Sequence, residues 1–209
     1  MVGVLSTAPL STAASYELIS VPLFILMAEF VIMSGVADNL FKAAVTWVGR
    51  VPGGLGMATA LAGAGFGAIS GSSTAAAATL SSTTMPAMLK QGYEPKLAGG
   101  VVAISGTLAM LIPPSIALVL YGIIADVSIS ALLIGGVIPG ILVTLVIMAT
   151  VYVLVLIDPH AAPSGRAYSM GEKLASLRVV GPMVFLFMAV TGVIYTGIAT
   201  PTEASGLGA

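Results

Sequence analysis

Two stretches of this chain carry groups that could hold an ion or a carboxylate in an otherwise apolar setting. The first is Gly67-Ala-Ile-Ser-Gly-Ser-Ser-Thr74, where Ser70, Ser72, Ser73 and Thr74 supply hydroxyls and Gly71 leaves its carbonyl accessible. Ser72 to Thr74 are residue types that cap helix N-termini well. A helix opening there points free N–H groups and a partial positive charge at an anion such as a carboxylate. The second stretch is Ile112-Pro-Pro-Ser115. Pro113 and Pro114 cannot donate backbone hydrogen bonds, so a helix entering them must break. The half before the break ends in unpaired carbonyls, which favour a cation, while Ser115 opens a new N-terminus. Neutral oxygens without a nearby carboxylate suit a weakly held monovalent ion such as Na+, since proton coupling calls for an ionisable residue close by.

Other chemistry is poorly served. Cysteine is absent, which removes disulfides, thiolate metal sites and a cysteine nucleophile together. Ser70 and Ser73 lack the Gly-x-Ser-x-Gly frame of a nucleophile elbow. The sole histidine, His160, sits in an Asp158-Pro159-His160 loop, where it cannot activate a serine at the first stretch. An intramembrane serine hydrolase is therefore the weaker reading, and neither enzyme activity nor a cofactor is expected. A channel is a second rival, because carbonyl-lined re-entrant loops also build filters. Small residues also serve close packing of membrane helices, the plainer explanation for a Gly-Ser tip taken alone.

The elements that carry these residues are apolar. Hydrophobic residues make up 58% of the chain and charged residues 7%, against about 25% charged in soluble domains, so lipid is the expected solvent. No basic patch with interleaved aromatics points to nucleic acid. Met1 to Ser15 lack a signal-peptide pattern. Leu18 to Val36 is an apolar run about long enough to cross a ~30 Å hydrocarbon core. It holds Glu29, which is open to two readings, a proton relay or a neutral group facing the protein interior. Asp38 to Val51 is amphipathic, with Trp47 as an interfacial anchor. Ile129 to Ile157 would make roughly 43 Å of helix and should tilt or kink. Asp158 to Gly171 reads as a loop and Val179 to Ala199 as another span.

Charge placement decides what Gly53 to Met88 does. If this uncharged segment crossed once, Lys42 and Arg50 would face one side and the other five basic residues the opposite side. If it enters and leaves on one side, all seven Lys and Arg fall on a single face, as cytoplasmic loops require. The other face then carries Glu17, Asp126 and Glu203. Each limb, from residue 53 or 88 to the centre near 71, has about 17 residues or roughly 26 Å of helix, short of a full crossing. A re-entrant hairpin is expected. The Pro113-Pro114 break lies a similar distance from Lys96, so two interrupted backbones stop at one depth, the pattern of secondary-transporter binding sites.

Several runs resemble one family. Val21-Pro-Leu-Phe-Ile-Leu-Met-Ala-Glu29, the Gly67 to Ala75 run, Met85-Pro86 with Gly92-Tyr93, Gly106 to Ser115 with Tyr121-Gly122, Gly136-Val-Ile-Pro-Gly140 and Ala199-Thr-Pro-Thr-Glu-Ala204 are similar to the large membrane subunit of TRAP (tripartite ATP-independent periplasmic) transporters. The resemblance implies an all-α polytopic protein of the bacterial inner membrane, one half of an inverted-repeat, elevator-type carrier. It implies a Na+ gradient as the driving force, a periplasmic binding protein that delivers an organic acid, and a small membrane partner subunit. C4-dicarboxylates, sialic acid-like sugars and other carboxylates are the substrate class.

The resemblance also assigns residues. Ser70, Gly71, Ser72, Ser73, Thr107, Ile112 and Pro113 are the expected Na+ set, and Ser72, Ser73, Thr74, Pro114 and Ser115 the expected substrate set. The expected organisation is a scaffold helix and interfacial arm over 1–52, and a transport part over 53–128 containing a hairpin (53–89) and a broken helix (96–126). Scaffold and connecting helices over 129–209 lead toward a second half. That half, and a first helix before the Pro-Leu-Phe run, are family features outside this sequence, so a fragment holding half of the substrate site is expected.

Overall fold

The computed structural model describes residues 16–209, and every regular element among them is helical. Met1 to Ser15, expected to hold no signal peptide, lie outside the described residues, as does the side chain of Glu17. Helix α1 spans Ser20–Met33 and α2 spans Val36–Val48, with a 67° bend between them. The bend falls at Gly35, whose φ of 72° is a left-handed conformation that glycine adopts at little cost. Beyond it the pattern is amphipathic: Ala37, Phe41 and Ala44 are buried, while Trp47 is exposed with the Lys173 ammonium 5.7 Å from its ring centroid. Glu29 lies on the exposed face of α1.

The Gly-Ser-rich segment folds as a helical hairpin. Its first limb is α3, Gly54–Ser70, and its second is α4, Ser73–Thr83, followed by a short helix α5, Met85–Lys90. The expected single second limb is thus divided at Thr84, whose hydroxyl donates to the Leu80 carbonyl at 2.9 Å. At 17 residues, α3 is about 26 Å long.

Helix α6, Pro95–Thr107, tightens into a 3-10 turn over Leu108–Met110, and the chain resumes as α7, Ile116–Ala125. The α-helix therefore ends five residues before Ile112, where the sequence marked the break. Proline explains the position. Pro114 has no N–H for the Met110 carbonyl, the partner it would serve in a continuous helix. The Ser115 hydroxyl takes that role, donating to Met110 at 2.7 Å.

Helix α8, Ile129–Ile157, has the bounds read from the sequence and carries Pro139 inside it. Helix α9 runs Met170–Tyr195, starting nine residues before the span expected at Val179. Its start is set by a capping box between Ser169 and Glu172, which satisfies two orphan backbone donors reciprocally. A second such box, Thr200 with Glu203, opens the short helix α10, Pro201–Gly208. Both α8 and α9 are long and apolar enough to cross a membrane, and the bent α1–α2 pair would be a third.

Close backbone contacts set the packing. A Cβ on Gly63 would lie 2.8 Å from the Ser105 carbonyl oxygen, and one on Gly67 would lie 2.7 Å from the Ala109 Cα. Helices α3 and α6 therefore run side by side in the same direction, one turn of glycine against one turn of small residues. On its other side, α6 meets the second limb, where a Cβ on Gly106 would be 2.8 Å from the Ala77 Cβ. Gly63, Gly67 and Gly106 thus serve close packing of the helices.

Both ends of the hairpin segment sit together. The Leu55 N–H donates to the Tyr93 phenol oxygen at 3.0 Å, and the Glu94 N–H donates to the Ala161 carbonyl at 2.9 Å. A single crossing by residues 53–88 is therefore not how the chain folds. Arg50, Lys90, Lys96 and Arg166 flank these joined loops. Asp126 lies at the opposite end of α8, where it shares a cavity of about 350 Å³ with Thr200 and Thr202.

Candidate functional site

The hairpin tip and the proline break meet. The first limb ends at Gly71, whose φ is 58° and whose N–H donates to the Gly67 carbonyl at 3.1 Å. The Gly71 carbonyl in turn accepts a hydrogen bond from the Ile116 N–H at 3.2 Å. A Cβ on Gly71 would lie 2.6 Å from the Pro114 carbonyl oxygen, so conformation and space both call for glycine there.

Two helices open from this junction in the same way. Ser72 is extended (φ −123°, ψ 117°) and its hydroxyl accepts from the Ala75 N–H at 3.4 Å. Ser115 is also extended (φ −117°, ψ 122°) and accepts from the Leu118 N–H at 3.3 Å. Each serine satisfies one of the free donors at a helix start. The remaining N–H groups and the positive dipole ends of α4 and α7 lie beside the Gly71–Ile116 bond. The Ser72 and Thr74 hydroxyls pair at 3.1 Å, and Thr74 is exposed, while Ser73 is half-buried in the first turn of α4. The junction thus offers anion-favouring helix starts, several hydroxyls and no formal charge.

The expected residues are not all brought to one point. Ser70 is 1% exposed, and its hydroxyl oxygen has no hydrogen-bond partner among the described residues. An unpartnered buried hydroxyl is costly, and a bound cation or water would relieve it, so the Ser70 oxygen fits the expected Na+ ligand. Pro113, Pro114 and Ser115 are buried at the break. Thr107 is different: it lies on the exposed side of α6, with its hydroxyl donating to the Ile104 carbonyl at 2.7 Å. Ile112 packs into α8, where a Cβ on Gly140 would be 2.6 Å from the Ile112 Cγ1.

Sequence reasoning missed two features of this region. Gly136 and Gly140, noticed only as part of a motif, form a notch in α8 that seats the break: a Cβ on Gly136 would lie 2.6 Å from the Leu111 carbonyl oxygen. Their spacing of four, one face of a helix, was the available signal. Ser105 is fully buried and its hydroxyl also lacks a partner among the described residues. A larger apolar cavity of about 620 Å³ lies elsewhere, between Leu97, Gly100 and Ile104 of α6 and Val143, Ile147 and Val151 of α8.

Among the described residues, apolar helices, a charge-free hairpin and a proline-broken helix joined at their interruptions make an all-helical fold of the membrane-protein class. Throughout residues 1–209 the chain matches the family model for the tripartite ATP-independent periplasmic transporter, DctM component, and it belongs to that family. It is similar to the C4-dicarboxylate TRAP transporter large permease protein DctM of Pseudomonas aeruginosa, at 37% identity over 95% of this chain and 46% of that protein. The ectoine TRAP transporter large permease protein TeaC of Halomonas elongata is 35% identical over 90% of this chain and 44% of that protein. The sialic acid TRAP transporter permease protein SiaT of Haemophilus influenzae is 32% identical over 91% of this chain and 31% of that protein. The chain thus spans less than half the length of each of these relatives.

Proposed function

We propose that this chain contributes one half of the solute site of a Na+-driven carrier for a small organic acid in the bacterial inner membrane. A periplasmic binding protein delivers the acid, and a small membrane subunit accompanies the permease. The observation that supports this reading is the hydrogen bond from the Ile116 N–H to the Gly71 carbonyl. It places two serine-capped helix N-termini side by side in a charge-free setting, where a carboxylate gains from both.

The division of labour follows from polarity. Ser72, Ser73, Thr74, Pro114 and Ser115 border the helix starts and take the substrate carboxylate. Ser70, Gly71, Ile112 and Pro113 offer hydroxyl and carbonyl oxygens and take Na+, with Ser72 and Ser73 within reach of either. Thr107 lies on the exposed side of α6, and its hydroxyl donates to Ile104 while its oxygen lone pairs stay free for the ion. The hairpin and broken helix move as the transport part of an elevator against the α8 and α9 side, and a second, inverted half completes the site.

The test is uptake by the intact transporter in proteoliposomes, with binding protein preloaded in turn with a C4-dicarboxylate, ectoine or sialic acid. Concentrative uptake of one of them that requires an inward Na+ gradient is expected. Uptake that persists undiminished when K+ replaces Na+ would overturn the coupling.

A further inference from the structure

The base of the hairpin is closed by a side chain from outside it. Helix α3 starts from Gly53, which has no side chain to cap the free N–H groups of the first turn. One of those donors, the Leu55 N–H, is met instead by the phenol oxygen of Tyr93 at 3.0 Å. Tyr93 is 3% exposed and packs in one cluster with Leu55, Ala58 and Met88. Its own N–H donates to the Met88 carbonyl at 3.0 Å, after a turn at Gly92 with φ 91°. One residue thus holds the start of the first limb and the end of the second. Burial pushes the Tyr93 phenol above its ordinary pKa, against the lowering influence of the Leu55 and Gly56 backbone groups, so the clasp is a neutral hydroxyl.

The clasp acts against a wedge. Helix α6 touches the first limb at Gly63 and Gly67 and the second limb where Gly106 meets Ala77. The limbs also meet directly below the turn at Gly71 and Ser72, where a Cβ on Gly63 would lie 3.2 Å from the Leu80 Cδ1 and the Thr59 hydroxyl donates to the Met88 sulfur at 3.9 Å. If the base splays, the limbs pivot about the Gly63–Leu80 contact and α6, and the tip moves relative to Ile116.

We propose that Tyr93 is a positioning residue for transport, whose phenol clasps the hairpin base and so holds the tip against the proline break. This rests on reading the tip–break junction as the transport site. Tyr93→Phe keeps the ring and deletes only the hydroxyl that accepts from the Leu55 N–H. In the intact, purified transporter, hydrogen exchange at residues 55–57 is expected to quicken roughly five- to 150-fold, as for a lost buried hydrogen bond. Exchange at residues 73–76 quickens with it, and half-saturating Na+ for uptake per folded protein rises several-fold. Faster exchange confined to residues 55–57, with an unchanged Na+ curve, would reduce Tyr93 to a local packing role and overturn the proposal. Unchanged exchange at the base would overturn it as well. Failure of the site reading shows separately, as wild-type uptake indifferent to Na+, while the exchange measurement still reports the clasp.

Discussion

The carbonyl of Gly71 and the N–H of Ile116 are hydrogen-bonded at 3.2 Å, joining the tip of a hairpin to the restart of a broken helix. Neither segment has a partner there in its own element, since the first has left its helix and the second has just begun one. Each interruption supplies what the other lacks. The same contact removes an unmet carbonyl and an unmet donor from an apolar setting, where either would be costly.

Glycine contacts predict opposite outcomes at two positions. Gly67→Ala places a methyl 2.7 Å from the Ala109 Cα, and backbone must shift, at about 1–3 kcal/mol. Gly99→Ala meets nothing within 4 Å and gains helix propensity worth up to about 1 kcal/mol. Thermal unfolding in detergent should show a lowered midpoint for the first and an equal or raised one for the second. A lowered midpoint for Gly99→Ala alone would contradict the packing described.

The α8 notch predicts a ranking. Gly136→Ala meets the Leu111 carbonyl oxygen at 2.6 Å, whereas Gly140→Ala meets the Ile112 Cγ1 at the same distance. The Ile112 Cγ1 methylene belongs to a side chain, which can move aside more readily than backbone, so uptake by the intact transporter should fall further for Gly136→Ala. Equal, wild-type rates in both variants would show that the break does not depend on its seat.

Topology is open to direct labelling because the chain has no cysteine. Lys90→Cys and Arg166→Cys should resist a membrane-impermeant thiol reagent on intact spheroplasts, since the basic loops belong on the cytoplasmic side. Ser128→Cys, at the opposite end of α8, should react. Labelling at position 90 with protection at 128 would invert the orientation.

Much of this architecture was legible in the sequence, for identifiable reasons. The hairpin followed from an uncharged segment flanked by Arg50 and Lys90, and the break from two adjacent prolines. The bounds of α8 followed from an unbroken apolar run. The early start of α9 was not read, because Glu172, Lys173 and Arg178 interrupt the apolar run and only the Ser169–Glu172 capping pattern marked a helix there. The orphaned Ser70 and Ser105 hydroxyls were not legible either. Whether a hydroxyl finds a carbonyl depends on its rotamer and its packing: Thr84 finds Leu80 four residues back along the chain, while Ser105, packed against Gly63, finds nothing among the described residues.

Ser70 gives the sharpest test of the junction as an ion site. Its buried hydroxyl has no partner among the described residues, so without Na+ the Ser70→Ala protein should be as stable as wild type or more so. With Na+ it should lose about 1–3 kcal/mol of the ion's stabilisation, if each lost ligand goes uncompensated. Ser128→Ala, which removes a comparable helix cap far from the junction, controls for capping when Ser72→Ala is compared with it. The deciding measurement is uptake by the intact transporter against Na+ concentration, at saturating substrate-loaded binding protein, for Ser70→Ala, Ser72→Ala and Ser128→Ala. Half-saturating Na+ should rise roughly five- to 150-fold in the first two and stay at the wild-type value in the third. Superimposable Na+ curves for all three, at normal protein levels, would contradict an ion site at the tip and leave its serines as packing and caps.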